Sequence, residues 1–257
     1  MRIISNIKKH FFLFEELTKR DFKKKYKRTV LGMGWSILSP LLQLLVMSFV
    51  FGEIFGKGTP HFTIYLFCGV LVFNYFTEST KSGMRALLEN AAIFNKVNVP
   101  KYLFLFSKNL SSLINFGLTL LVFFVFCLFD SIAFSWNFFA LIYPIICLVV
   151  FNLGMGMIFS ALNVFFRDIS YLYDIFIMLL RYLSAIFYTV DRFNPFLQKI
   201  LYINPIYCYI KYFRIIVIDG NIPSLPYHLL CAFYAFAVFG IGALIYKLCN
   251  RKFVYYV

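Results

Sequence analysis

The first 28 residues carry a cluster of basic side chains that could bind an anionic group. Ten of these residues are Lys or Arg, and one Tyr lies among those nearest the first apolar segment. Guanidinium and ammonium groups form strong hydrogen bonds with phosphate oxygens. The general excess of positive charge on the cytoplasmic side of membrane proteins would explain the same residues equally well. The candidate anion ligands are Arg20, Lys24, Lys25, Tyr26 and Arg28.

Aromatic side chains are the second group with recognisable chemistry. The chain contains 35 Phe, 18 Tyr and 2 Trp. A flat ring packs against the C–H face of a sugar, and a Tyr hydroxyl can form hydrogen bonds with it. Contact with lipid, or an aromatic belt at the membrane interface, is the alternative explanation. The candidates for lining a sugar passage are Phe73, Tyr75, Phe76, Tyr182, Tyr188, Tyr202, Tyr207 and Tyr209.

Patterns for catalysis, nucleotide binding and metal binding are missing from the sequence. The nearest approach to a nucleotide-binding P-loop is Gly52 to Gly58, which has one residue too few between glycines and no Ser or Thr after Lys57. The three His residues lie far apart, and the six Cys residues include no closely spaced pair. We therefore expect no catalytic, cofactor-binding or metal site on this chain.

The composition indicates that most of the chain is surrounded by lipid. Of its 257 residues, 61% are hydrophobic and 14% are charged, whereas roughly 25% of an ordinary soluble domain is charged. A membrane-spanning helix needs about 20 apolar residues. The sequence therefore predicts an all-α integral membrane protein with six transmembrane helices. The predicted spans are residues 29–52, 58–77, 109–129, 131–166, 169–190 and 220–246.

The distribution of Lys and Arg predicts the orientation. Nineteen of them lie in residues 1–28, in residues 78–108, at Arg167 and in the C-terminal tail, whereas the opposite connections contain five. Because cytoplasmic connections are enriched in Lys and Arg, we expect both termini to be cytoplasmic.

Two segments outside the spans have their own patterns. Residues 1–28 place apolar side chains at helical spacing, which predicts an amphipathic helix at the membrane interface. Charged residues divide the apolar stretch between spans five and six, and Pro195 and Pro205 interrupt it, which predicts short re-entrant helices at the outer face. Within the spans, the paired glycines Gly154/Gly156 and Gly240/Gly242 predict close helix packing.

Asp174 and Arg181 are charged residues inside predicted span five. They are seven residues apart, so they share one face of a helix. Charges inside a span are costly, and they are therefore candidates for a functional role. A salt bridge or extension to the interface is the alternative.

Three segments resemble one known family. The run from Arg20 to Pro40, in which Leu31 and Gly32 precede the first span, is similar to the opening signature of the permease subunit of type-2 ABC polysaccharide exporters. This family exports O-antigens, capsules and teichoic acids. Asn163 to Asp168, and the region from Phe187-Tyr188 to Asn204-Pro205, agree with the same family in the same order.

The resemblance implies a function and a set of partners. It implies a homodimer of permeases with two separate ABC ATPase subunits that bind ATP and Mg. The chain itself would not be an enzyme. The assembly would move a polyprenyl-pyrophosphate-linked polysaccharide from the cytoplasm across the bacterial plasma (inner) membrane. Residues 1–28 would form a cytoplasmic interface helix, and residues 29–257 the transmembrane domain.

The resemblance also implies roles for individual residues. The lipid head group would enter at Leu31 and Gly32, beside the basic cluster. Asn204 and Pro205 would belong to the outer gate. The residues implied in coupling to the ATPase are Leu88, Asn90, Phe94, Lys96, Pro100, Arg167 and Asp168.

Two other functions compete with this interpretation. A type-2 ABC permease for drug or small-lipid efflux would share the architecture, but it would not need a continuous aromatic passage. A membrane enzyme acting on lipid-linked sugars would need clustered acids or His at the interface, and the sequence lacks them.

Overall fold

The computed structural model describes residues 2–27, 29–55, 60–94, 96, 99–190, 193–250 and 252–256. All regular secondary structure in these ranges is helical. The α-helices in these ranges are α1 (Arg2–Tyr26), α2 (Trp35–Phe55), α3 (Phe62–Glu89), α4 (Ala91–Phe94), α5 (Tyr102–Phe129), α6 (Ile142–Phe165), α7 (Ile169–Leu183), α8 (Pro195–Leu201), α9 (Pro205–Val217), α10 (Leu225–Cys249) and α11 (Phe253–Tyr256). Short 3-10 helices, Gly32–Gly34 and Trp136–Leu141, precede α2 and α6.

Within the described residues, five helical segments are long and apolar enough to cross a bilayer. The pair α8 and α9, bent by 103° at its junction, passes the same test together and makes six if it counts as one span. The prediction of an all-helical protein with several membrane spans is therefore confirmed. The five segments are Gly32–Gly52, Phe62–Ile93, Tyr102–Phe129, Trp136–Phe165 and Leu225–Cys249.

The central element of the bundle is α3, which packs against α2, α5, α6, α7 and α9. In the most apolar stretch of this segment, 72% of the residues are buried. In the segment that contains α2 the corresponding share is 11%, so α2 lies at the periphery. The C-terminal ends of α3, α6 and α10 lie at the same end of the bundle as α1 and the start of α5. We call this the basic end, and the other the opposite end.

Glycines allow α6 and α10 to approach each other closely. A Cβ atom at Gly154 would lie 2.5 Å from the backbone nitrogen of Phe239, and one at Gly242 would lie 2.6 Å from the carbonyl oxygen of Gly154. The predicted packing role is therefore confirmed for these two glycines. Gly240 differs, because a Cβ atom there would have no neighbour within 4 Å.

Residues 169–190 do not form one helix, which corrects the boundary predicted for span five. Helix α7 ends at Leu183, and its 15 residues reach about 22 Å, less than the roughly 30 Å of a hydrocarbon core. Ala185 then adopts a positive φ of 50°. The last carbonyl groups of a helix need other donors. Tyr188 Oη donates to the Tyr182 carbonyl (2.8 Å) and Asn204 Nδ2 to the Leu183 carbonyl (3.3 Å).

Arg214 on α9 stabilises the non-helical segment after α7. It is one of the charged residues that divide the stretch between predicted spans five and six, and its side chain is buried. Its guanidinium donates to the carbonyls of Ala185 (2.9 Å), Ile186 (3.2 Å) and Tyr65 (3.2 Å). The three carbonyls are neutral acceptors for the buried guanidinium. Because two of them belong to the segment after α7 and the third to the start of α3, Arg214 holds the segment against α3.

The prolines predicted to interrupt the outer stretch begin α8 and α9. Asn194 Oδ1 accepts from the Phe196 amide (3.1 Å), and Asn204 Oδ1 accepts from the amides of Ile206 (3.0 Å) and Tyr207 (3.4 Å). Pro at the first helical position after an Asn cap is a typical helix start, because the missing N–H has no helical acceptor there.

Candidate functional site at the basic end

A cavity of about 450 Å³ lies between α1, α2, α3 and α5. All four helices contribute polar side chains to its described lining, and Trp35, Pro40, Leu71 and Phe116 contribute apolar ones. The polar lining residues are Lys25, Tyr26, Thr29, Ser36, Ser39, Asn74, Tyr75, Thr77, Glu78, Lys81, Ser112, Asn115 and Thr119.

The charged groups of this cavity form ion pairs that a ligand could exchange. Lys25 Nζ lies 2.9 Å from Glu78 Oε2, and Lys81 Nζ lies 2.6 Å from Asp174 Oδ1. Each of these four side chains is partly exposed, with values from 35% to 56%. Half-exposed ion pairs contribute only about 0–1 kcal/mol. Replacing the carboxylates with a phosphate group would therefore cost little.

Side-chain hydrogen bonds between the helices hold the cavity in shape. Tyr26 Oη donates to Asn115 Oδ1 (2.6 Å), and Asn115 Nδ2 donates to Glu78 Oε1 (2.7 Å). Asn74 Nδ2 donates to Gln43 Oε1 (2.9 Å) across to α2. The end of α1 is thus connected to α5, α3 and, through α3, to α2.

The predicted anion ligands do not all meet at the cavity. Lys25 and Tyr26 line it, whereas Lys24 approaches Glu89 at 4.0 Å. Leu31 is half-exposed on the short connection to α2, where Gly32 has a φ of +52°. A side chain at such a φ is strained, which explains the glycine. Arg28 lies outside the described residues.

Arg20 belongs to a different cluster, which attaches α1 to α3 and α5. Its Nη2 donates to Asp21 Oδ1 and to Asn90 Oδ1, both at 2.8 Å. Lys108 on α5, whose side chain is 9% exposed, lies 2.8 Å from Glu89 and 3.4 Å from Asp21. Removing one partner of a buried ion pair of this kind strongly destabilises a protein, because the other charge remains buried without compensation. Arg20 is therefore positioned against Asn90, rather than in the cavity.

Two of the residues implied in coupling, Leu88 and Arg167, line the same groove. A depression of about 400 Å³ is lined by Arg85, Leu88 and Glu89 of α3, and by Asn163, Arg167 and Ser170 around the α6–α7 connection. Asn163 Nδ2 donates to the Met84 carbonyl (3.2 Å) between them.

The other residues implied in coupling lie in different surroundings. Asn90 is buried, whereas Lys96 and Asp168 are exposed. Pro100 lines a separate groove beside α10. The side chain of Phe94 lies outside the described part of the chain.

The aromatic candidates divide into buried and exposed groups. Phe73, Tyr75, Phe76, Tyr207 and Tyr209 are buried inside the chain. They pack among other core residues, although Tyr75 also lines the cavity at the basic end and Tyr207 lines a pocket beside Arg214.

Tyr182, in contrast, is 59% exposed on α7, and Tyr188 and Tyr202 are partly exposed. Lys211 Nζ donates to Tyr202 Oη (2.6 Å), near the junction of α8 and α9.

Asp174 and Arg181 do not pair with each other. Asp174 pairs with Lys81, as described above, and the guanidinium carbon of Arg181 lies 5.2 Å from the centroid of the Phe73 ring. Seven residues correspond to about 10.5 Å along a helix, which is too far for direct contact between these side chains. Both contacts instead join α7 to α3.

Comparison with known proteins identifies the family. A family model described as ABC-2 type transporter matches residues 13–218. The chain belongs to the ABC-2 type transporter family. This match confirms the resemblance predicted from the three sequence segments.

Named relatives of this ABC-2 type chain match over most of their length. The O-antigen export system permease protein RfbA of Klebsiella pneumoniae is 30% identical over 216 residues, 82% of each chain. A protein of the same name from Myxococcus xanthus is 23% identical over 228 residues, 87% of each chain. The polysialic acid transport protein KpsM of Escherichia coli is 24% identical over 239 residues, 91% of this chain and 92% of that protein.

Sequence reasoning missed several polar residues of this ABC-2 type chain. Glu78, Lys81 and Asn115 line the cavity, and Asp21 and Lys108 form the cluster beside it. The three-residue spacing of Glu78 and Lys81 places both on one helix face. The spacing is visible in the sequence, but residues 78–108 were predicted to be a basic connection. Helix α3 instead continues to Glu89.

Proposed function

We propose that this chain is the transmembrane permease subunit of an ATP-driven exporter of polysaccharide. The observation that carries the proposal is the match to permeases named for O-antigen export and polysialic acid transport over more than four fifths of both lengths. The polar cavity at the basic end supports it, because a membrane-embedded bundle otherwise has little use for ion pairs that a ligand can exchange.

The proposed substrate is a polyprenyl-pyrophosphate-linked glycan of the O-antigen, capsule or teichoic-acid type. Its pyrophosphate would bind Lys25 and Lys81 in place of Glu78 and Asp174, while Tyr26 and Asn115 donate hydrogen bonds. The exposed Leu31 and Gly32 turn lies in the connection that leads to the cavity-lining residues Trp35 and Ser36. The lipid tail would pass this turn from the bilayer.

Coupling to ATP hydrolysis would use the basic end. Two separate ABC ATPase subunits, which bind ATP and Mg, would contact the groove between α3 and the α6–α7 connection. Arg20 bonds directly to Asn90, next to that groove. A movement of the ATPase contacts would therefore pull on α1, and α1 carries the cavity residues Lys25 and Tyr26.

The passage itself would form between two copies of the chain. Helices α2 and α7 present exposed apolar faces, and α2 also bounds the cavity. In the proposed homodimer these faces meet, and Tyr182 lies near the glycan. Helices α8 and α9 would close the outer side as a re-entrant gate. The basic end, with both termini and with α1 at the membrane interface, would face the cytoplasm of a bacterial inner membrane.

Complementation of a deletion strain tests this function. We expect deletion to remove the surface polysaccharide and to leave the lipid-linked glycan inside the cell. Reintroducing the wild-type chain together with its ATPase should restore export. The double variant Lys25→Gln/Lys81→Gln should assemble normally but export at least about tenfold less, since two charge-assisted contacts to phosphate are lost.

The matched control is Lys23→Gln/Lys27→Gln, which removes the same charge from an exposed position of α1 and from the exposed residue that follows the helix. We expect it to export like the wild type. Unchanged surface polysaccharide in the deletion strain, combined with increased sensitivity to drugs, would contradict the proposal and favour an efflux permease. Normal export by the Lys25→Gln/Lys81→Gln variant would contradict the head-group site alone.

A further inference from the structure

A second groove at the basic end lies between α5, α6 and α10, away from the cavity described above. Its volume is about 510 Å³. Phe106, Met157 and Ala243 form apolar walls, and Lys101, Lys247 and Asn250 lie among the polar lining residues. An apolar wall combined with two ammonium groups matches a phospholipid, which has acyl chains and a phosphate.

The charge of the surrounding helices favours an anionic ligand. The sequences of α5, α6 and α10 contain no Asp or Glu. Lys108, the basic residue within α5, is already paired with Glu89 and Asp21. The described lining of the groove includes no carboxylate. The groove therefore differs from the cavity beside α1, where Glu78 lies next to Lys25.

Lys101 is held in place at this groove. Its Nζ donates to the backbone carbonyl of Asn250 and lies 3.3 Å from Asn250 Oδ1. Burial lowers the pKa of the Lys101 ammonium. A nearby phosphate would reverse this effect, because an opposite charge favours the ionised form. Lys247 is exposed in the last turn of α10 and can move toward the same phosphate.

We propose that this groove binds an anionic phospholipid of the surrounding bilayer, with the phosphate between Lys101 and Lys247 and the acyl chains along α5 and α10. Basic pockets between transmembrane helices are typical sites for such head groups. The bound lipid joins α5 to the end of α10. The site is separate from the proposed pyrophosphate cavity, and it does not depend on the proposed transport function.

Lipid binding to the purified full-length chain tests the proposal. The delipidated chain is titrated with phosphatidylglycerol and, separately, with phosphatidylcholine, and bound lipids are counted by native mass spectrometry. We expect preferential binding of phosphatidylglycerol. The variant Lys101→Gln/Lys247→Gln should bind it about thirty-fold more weakly, since each lysine near an anionic head group contributes about one fivefold step.

Two further variants keep the result interpretable. Lys101→Arg/Lys247→Arg should retain binding, and the exposed control Lys23→Gln/Lys27→Gln should bind like the wild type. If the double Gln variant does not fold, Lys247→Gln alone should still weaken binding about fivefold. Equal affinity for both lipids, unchanged binding by the Gln variants, or equally strong competition by inorganic phosphate would overturn the proposal.

Discussion

At the scale of single residues, charge positions α1. Asp21 and Lys108 are buried with their charges directed at each other, and Arg20 extends from the same cluster to Asn90. Leu17 adds an apolar contact with the cluster around Leu87 and Phe104. The attachment of α1 therefore combines a small apolar contact with an ion-pair network that needs both signs of charge.

Replacing Lys108 with Gln should loosen α1. Asp21 and Glu89 would lose their shared cation, and breaking a buried pair costs about 3–5 kcal/mol. Because Glu89 is partly exposed and Arg20 still contacts Asp21, we expect a loss of about 2 kcal/mol. Hydrogen–deuterium exchange of the α1 amides should become faster. Lys23→Gln, on the exposed side of α1, should leave the exchange unchanged, and equal protection in both variants would contradict this account.

At the scale of elements, the bundle depends on two kinds of close contact. Helices α6 and α10 approach through glycines, whereas the segment after α7 is held by hydrogen bonds from Arg214, Tyr188 and Asn204. The first kind is steric and the second is polar. Different substitutions should therefore disrupt the two kinds of contact.

Gly154→Ala should separate α6 from α10. The added methyl group would lie 2.5 Å from the Phe239 backbone nitrogen, which cannot move independently of its helix. Overpacking of this kind typically costs about 1–3 kcal/mol. Thermal unfolding of the detergent-solubilised chain should show the loss. Gly240→Ala is the matched control, because the same methyl group there meets open space and should be tolerated.

Arg214→Gln should release the segment after α7. The carbonyls of Ala185 and Ile186 would remain buried without their donor, at a cost of about 1–3 kcal/mol each. We expect faster hydrogen exchange in residues 184–190 and earlier proteolysis there. Lys199→Gln removes a charge from the exposed side of α8 and should change neither measurement. A segment that stays protected in the Arg214→Gln variant would show that its backbone needs no such support.

The sequence predicted the elements better than it predicted their contacts. Hydropathy identified the apolar helices, and the two prolines predicted to interrupt the outer stretch, Pro195 and Pro205, begin α8 and α9. The end of α7 could not be predicted, because it depends on Arg214, thirty residues later in the chain. Lys25 and Tyr26, two of the predicted anion ligands, line the cavity, but the cavity itself could not be predicted because Glu78 and Asn115 come together only when α3 and α5 pack.

At the scale of the whole molecule, much of the apolar surface remains uncovered by the chain itself. Helix α2 carries several exposed apolar residues, including Phe49, and α7 exposes most of its length. Either lipid or a second copy of the chain can cover such apolar surfaces. The proposed passage requires that a second copy, rather than lipid, covers the faces nearest the cavity.

A charge on α2 should separate the proposed pair. The Phe49 side chain is 82% exposed, and Phe49→Glu would place a carboxylate between the two copies. We expect the wild type to appear as a dimer in native mass spectrometry and the variant to appear as a monomer. The control Phe233→Glu introduces the same charge on the exposed face of α10 and should remain dimeric. A monomeric wild type, or dimers in both variants, would contradict the predicted interface.

The Arg214 guanidinium also has a consequence for ion leakage. It is a positive charge held by neutral backbone carbonyls at the opposite end of the bundle, and it would repel an inorganic cation that approached it. At a separation of about 10 Å and an effective dielectric constant of about 20, the repulsion is about 1.7 kcal/mol. A conduit wide enough for a polymer must not discharge the membrane between transport cycles. Arg214 would help to keep the resting protein impermeable to sodium and potassium.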